Sequence, residues 1–147
     1  MAKKTTYAFK DTVGSIHSPA VQPDYIFTGE GVGSITVTKS TERTAHDVAA
    51  DGSVMVSKIE GENGSVTIEC QQSSPVHRWL EKWFEAINNS KTENWANSTM
   101  LIKNSSVKMG HICTGVSPAK EADNPYQAQG QRVTWQLMCA EIQNITL

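Results

Sequence analysis

Apolar and polar residues alternate with a period of two along several stretches of this chain, the spacing of half-buried β-strands. Ile35 and Val37 fall on one side of such a run, with Ser34, Thr36 and Thr38 on the other. Val66, Ile68 and Cys70 share a face opposite Ser65, Thr67, Glu69 and Gln71. The longest run, Arg132 to Glu141, sets Val133, Trp135, Leu137 and Cys139 against Arg132, Thr134, Gln136, Met138 and Ala140. Further strands are expected at Ser53 to Ile59, Thr99 to Lys103 and Lys108 to Gly115, with Asn104-Ser105-Ser106 turning between the last two. Gly61-Glu62-Asn63-Gly64 is a tight-turn sequence that should join the strand ending at Ile59 to the one beginning at Ser65. Near the start, residues 5 to 28 read as a strand, an irregular link and a short strand around Tyr25 to Phe27. Pro19 and Pro23 disfavour regular structure in that link.

One segment has helical rather than strand spacing. Ser74 suits an N-cap and Pro75 the first helical position. Val76, Leu80, Trp83, Phe84 and Ile87 then form an apolar stripe with Trp79 beside it, while His77, Arg78, Glu81, Lys82 and Glu85 occupy the wet side. The helix should span about residues 75–88. The expected fold class is therefore mainly β with one flanking α-helix, in a single domain over 1–147. Residues 117 to 130, with Pro118, Pro125 and Gly130, read as a loop.

The segment that resists this pattern runs from Ser40 to Gly52. It is thirteen residues of polar and charged sequence without proline, predicted as a projecting loop at about 39–53. Ordered loops of that length in small domains generally have a use. Glu42, Arg43, His46, Asp47 and Asp51 are its candidate contact residues.

The 147 residues suffice for a core burying roughly 68–70% of the unfolded surface. A net charge of −2 lacks the basic excess needed to neutralise phosphates, which argues against tight nucleic-acid binding by one chain. The N-terminus MAKKTTYAFK has no apolar stretch that would read as a signal peptide or membrane span. Cys70, Cys113 and Cys139 are odd in number and widely spaced, the pattern of reduced core thiols.

Candidate chemistry is sparse. His46, Asp47 and Asp51 could be imagined as metal ligands, but their spacing fits no standard set. His17, His77 and His111 lack the partners of a catalytic triad. Glu60 and Glu62 flank a turn and read as surface charges. Gly29, Gly31 and Gly33 resemble a dinucleotide fingerprint only in part, because a strand pattern follows where a helix should begin; a turn or bulge fits better. Neither catalytic residues nor a cofactor is expected. The alternative to a structural role is a monomeric binding module for carbohydrate or protein ligands, using Trp79, Trp95 or Trp135.

Three long motifs, TERTAHDVAADGSVM, SSPVHRWLEKW and PYQAQGQRVTW, in this order within the chain, resemble the tail tube proteins of contractile-tailed bacteriophages and related prophage particles. That resemblance implies a β-sandwich or partly closed barrel with a helix at its flank, similar to the type VI secretion tube protein. It implies hexameric rings stacked into a hollow tube inside a contractile sheath, with DNA passing along the lumen. It also implies tape measure and baseplate or initiator proteins as partners, no membrane, and a location in the virion tail after assembly in the host cytoplasm. Six copies at −2 each would formally carry −12, which keeps DNA from sticking if part of that charge faces the lumen. Thr36, Thr67, Glu69 and Gln71, on the polar strand faces, are the lumen-facing candidates. The loop residues Glu42, Arg43, His46, Asp47 and Asp51 are expected to contact a neighbouring subunit.

Overall fold

The computed structural model describes residues 3–27 and 29–147. Among the described residues, nine strands and one α-helix follow in chain order: β1 (Thr12–Ser18), β2 (Val21–Phe27), β3 (Val32–Lys39), β4 (Thr44–Val48), β5 (Val54–Lys58), β6 (Gly64–Gln71), α1 (Pro75–Asn88), β7 (Ser98–Asn104), β8 (Met109–Pro118) and β9 (Arg132–Thr146). Seven of the strands form one antiparallel sheet in the order β2-β1-β7-β8-β9-β6-β3, and β4 and β5 form a separate two-stranded ribbon. The fold is mainly β with one helix. Of the two expected architectures it is the partly closed barrel, because a single curled sheet takes the place of a sandwich's two facing sheets. The curl is visible in one groove, where Ile35 and Val37 of β3 face Ile102 of β7 and Met109 of β8, strands that lie well apart in the sheet order.

The alternation read from β3, β6 and β9 holds. Val66, Ile68 and Cys70 pair across to Leu137, Trp135 and Val133, and all six are buried. β9 continues past the expected end at Glu141 to Thr146. Its in–out alternation slips there: Ala140 and Glu141 are both exposed, and Ile142 returns to the core. The Ile142 N–H donates to the Glu62 carbonyl, beyond the paired end of β6. Opposite the slip lies Gly115, whose φ of +64 and closeness to Ala140 leave no room for a side chain.

Helix α1 seals one side of the curl. The Ser74 hydroxyl accepts from the His77 N–H, Pro75 sits in the first turn, and Val76, Trp79, Leu80, Trp83 and Ile87 are buried. Trp79 and Trp83 stack with centroids 6.5 Å apart, and the Trp83 indole donates to Ser98 at 2.8 Å.

Three expectations needed correction. Pro23 lies inside β2, where an edge position leaves its missing N–H without cost. His77 is not on the wet side of the helix but 5% exposed. It is clamped between the Trp135 indole N–H, which donates to Nδ1 at 3.0 Å, and Asn124 Oδ1, 2.7 Å from Nε2. The tight turn does not join the strand at 53–59 to β6. Instead β6 pairs directly with β3, and the whole of residues 41–62 leaves the sheet between them.

Candidate assembly surfaces

The segment expected as a loop is half of a β-hairpin. β4 and β5 pair from Thr44↔Lys58 to Val48↔Val54, and Ala49 to Ser53 turn the tip. Asp51 fixes that turn by accepting from the Ser53 N–H at 2.9 Å; the Ser53 side chain and then this backbone hydrogen bond hold its carboxyl below the usual range. The register puts Thr44, His46, Val48, Val54, Val56 and Lys58 on one face and Ala45, Asp47, Met55 and Ser57 on the other. His46 and Asp47 therefore point to opposite sides of the ribbon and do not converge on a metal. Every residue of both strands is exposed, with Val48 at 66%, Val54 at 51% and Val56 at 63%. An isolated two-stranded ribbon is marginal in water, and this one turns a row of valines outward.

Its root is firmly held. Lys39 pairs with Glu62 at 2.6 Å and also donates to the Ile142 carbonyl. Arg43 donates to the Gly61 carbonyl at 3.0 Å and pairs with Glu62 and Glu60. Hydrogen bonds from Lys39 and then Arg43 pull the Glu62 carboxyl down to about 2. Thr41 and Asn63 bridge the two legs through their side chains at 2.6 Å, and the Ser40 N–H donates to the Asn63 carbonyl. Gly64 lets β6 start this close to β3, since a Cβ there would lie 2.1 Å from the Thr38 carbonyl oxygen. Glu60 and Glu62, read from sequence as plain surface charges, are the anchors of this clamp. Arg43 is committed to it, whereas Glu42 beside it is exposed, as are His46 and Asp47 farther along the arm.

The second surface is the polar face of β3, β6 and β9. Pairing aligns Thr36 with Thr67 and Gln136, Glu69 with Ser34 and Thr134, and Gln71 with Arg132. Thr36, Thr67, Glu69 and Gln71 thus share one face, turned away from the buried core. Glu69 is not a free acid there, because Arg132 pairs with it at 2.8 Å. Among the described residues the sheet also ends in two unpaired edges, β2 and β3.

The sequence profile described as "Bacteriophage PhiTE tail tube protein" matches residues 4–146. The chain belongs to this bacteriophage tail tube family. It is a family of structural proteins, not of enzymes. Among curated proteins no sequence matches significantly. Solved structures share the fold at low identity. A chain from the sheath/tube terminator of an extracellular contractile injection system superposes with a TM-score of 0.67 at 11% identity, covering 99% of this chain and 100% of that one. A chain from the six-fold symmetrised baseplate of the anti-feeding prophage gives 0.63 at 9% identity, with 98% of each covered. One from the sheath–tube complex of an extracellular contractile injection system gives 0.59 at 9%, covering 97% and 93%.

For a tail tube protein, the rival reading of the tryptophans as a ligand platform loses its basis. Trp83 and Trp135 are fully buried, Trp79 is 9% exposed, and Trp95 packs edge-on against Phe84 at 6.3 Å. The three cysteines are buried free thiols, and burial pushes the Cys70 thiol up. Among the described residues no three metal-ligating side chains gather, and no helix is long and apolar enough to cross a membrane. Sequence reasoning missed the valine face because it took residues 40–52 as a loop. The signal was present: Val48 stands six residues before Val54, around the Asp51-Gly52 turn, so folding back brings the two opposite each other.

Proposed function

We propose that six copies of this tail tube protein close into a ring, that rings stack into a hollow tube within a contractile sheath, and that DNA passes down its lumen. The observation that carries this reading is the open seven-stranded sheet with both edges unpaired. A half-barrel of that kind exposes main-chain donors and acceptors that a neighbouring copy can satisfy, edge to edge, in a closing heterologous contact. The hydroxyl and amide face bearing Thr36, Thr67, Glu69 and Gln71 lines the channel. Its one local charge pair, Glu69–Arg132, is internally balanced, so the wall offers DNA no fixed cation to hold it. The hairpin reaches a neighbouring subunit across the ring-to-ring interface, with Glu42, Arg43, His46, Asp47 and Asp51 as its polar residues. Sheath, tape measure and baseplate or initiator proteins are the remaining partners. Assembly takes place in the host cytoplasm and the product resides in the virion tail. The similar chains seen within baseplate and sheath–tube assemblies support this choice of partners.

Negative-stain microscopy of the concentrated protein, with and without baseplate initiator, tests the reading. Six-fold rings or tubes are expected; a species that stays at 16.1 kDa under both conditions overturns it. Replacing Thr67 and Glu69 with Lys places cations on the channel wall. Such tubes should assemble but release DNA slowly, and unchanged ejection kinetics would remove these residues from the lumen.

A further inference from the structure

We infer that His77 is a proton-operated latch for residues 119–124, the leg of the long loop that crosses helix α1, and that proton uptake by its ring lifts this leg off the subunit. Every group involved belongs to one chain, so the inference stands apart from the tube reading. An indole nitrogen only donates, so the Trp135 N–H at 3.0 Å requires a bare Nδ1. The ring is therefore neutral with its proton on Nε2, which donates to Asn124 Oδ1 at 2.7 Å. The same orientation of the Asn124 amide lets Nδ2 donate to Glu81 Oε1 at 3.1 Å and to the Ala122 carbonyl at 3.3 Å. The leg carries Ala122 into the core, where it is 5% exposed, and His77 is equally hidden.

Histidine changes its charge between about pH 5 and 8. A proton on Nδ1 sets two N–H groups against each other. Trp135 is fully buried, with Phe84 against it at 6.4 Å between ring centroids, so the imidazole is the group that must swing. That motion takes Nε2 away from Asn124. On α1, Glu81 lies 3.7 Å from Nε2 and attracts the imidazolium, competing with Asn124 for the same N–H. From the loop, Glu121 faces the ring through Glu81, and a hydrogen bond with Glu81 pushes its carboxyl above the usual range. That bond holds the leg while Glu121 is protonated and so opposes release, but Glu121 is exposed and its contact is screened by water. Lys120 and Asp123 pair with each other at the surface, 3.6 Å apart. From β9 the facing group is the neutral indole. The two ends of the leg are held by contacts that do not titrate. The Ala119 N–H donates to the Gln136 carbonyl at 2.9 Å, and the Pro125 carbonyl accepts from the Gln72 side chain. They form the hinges between which Ala122 and Asn124 lift.

Nuclear magnetic resonance of the full chain in dilute solution tests the latch. Ring nitrogen shifts of His77 report which nitrogen carries a proton, and the Trp135 indole N–H resonance reports its acceptor. A nitroxide on Lys120→Cys, with the native thiols buried, broadens α1 amides while the leg is down. Between about pH 8 and about pH 5 the ring should gain a proton on Nδ1, the indole resonance should move, and the open fraction of the leg should rise about tenfold, the factor for losing one buried hydrogen bond. His77→Gln offers an acceptor and a donor but takes up no proton, so its leg should stay in place over that range. His111→Gln, which alters the exposed contact to Asn144, should titrate as the wild type does. A proton on Nδ1 already at about pH 8, protonation that leaves the α1 broadening unchanged, or a leg that opens without protonation of His77 would each overturn the latch. The wild-type ring and nitroxide measurements decide this even if His77→Gln fails to fold.

Discussion

Helix α1 and the β4–β5 hairpin are the two elements that leave the curled sheet, and they treat their apolar residues in opposite ways. The helix turns Val76, Trp79, Leu80, Trp83 and Ile87 into its own chain, and its polar side meets water. The hairpin turns Val48, Val54 and Val56 out, and its root is anchored by Lys39, Arg43 and Glu62. The helix completes the subunit, while the hairpin leaves a surface for something else to complete. The two elements should therefore fail differently when altered. Helix changes should lower the stability of the folded chain, and hairpin changes should leave it intact and stop assembly.

The largest effect on stability is expected from Trp83→Ala. It empties a fully buried site and leaves Ser98 without its indole donor, and it should cost about 3–5 kcal/mol in urea denaturation. An unchanged midpoint would mean that the helix does not carry the core. Next comes His77→Phe, which leaves the Trp135 indole N–H buried without an acceptor and releases Asn124. A loss of about 1–3 kcal/mol is expected from that orphaned donor, and a neutral result would show that water replaces the imidazole. Replacing Thr41–Glu62 with an Asn-Gly turn joins β3 to β6 directly, since the Ser40 N–H already donates to Asn63. That chain should melt close to the wild-type temperature and form no tubes; tubes from it would remove the hairpin from assembly altogether.

The smallest effect is local and depends on pH. The Glu62 carboxyl is held at about 2 in the folded chain, against an ordinary 4.5. A depressed carboxyl supports its structure above the ordinary value and loses that support as pH falls toward the folded one. Hydrogen exchange across the hairpin should accordingly quicken between pH 4.5 and 2, while the amides of β6 and β9 stay protected. Glu62→Gln should remove that pH dependence, and hairpin exchange that stays flat in the wild type over this range would deny the clamp its role.

The strands of the main sheet could be read because each carries one buried and one wet face, as in Val66-Thr67-Ile68-Glu69-Cys70. The helix could be read from its cap and stripe. What escaped was pairing. Residues 53–59 sit next to β6 in sequence with a good turn between them, yet β6 pairs with β3, more than twenty residues away, because only β3 offers Ile35 and Val37 to the same core. β4 escaped because both its faces meet water, so Thr44-Ala45-His46-Asp47-Val48 has no burial to impose a period. His77 was misplaced because what buries it is the 119–131 loop through Asn124, a contact 47 residues away. Among the candidate site residues, Thr36, Thr67, Glu69 and Gln71 were legible as one face. The internal commitments of Arg43 and Glu69 were not, since ion pairs 19 and 63 residues apart leave no trace in a local pattern.

The clamp at the hairpin root has a consequence for growth. A flexible arm must be ordered each time it binds, at about 0.5–1.5 kcal/mol for each side chain immobilised. Here Lys39, Thr41, Arg43, Glu62 and Asn63 have met that cost while the chain folded. In the proposed tube, each incoming subunit would present an arm already aimed, so more of the contact energy would go into elongation and less into conformational search. A tube built as proposed would then lengthen readily from an existing end.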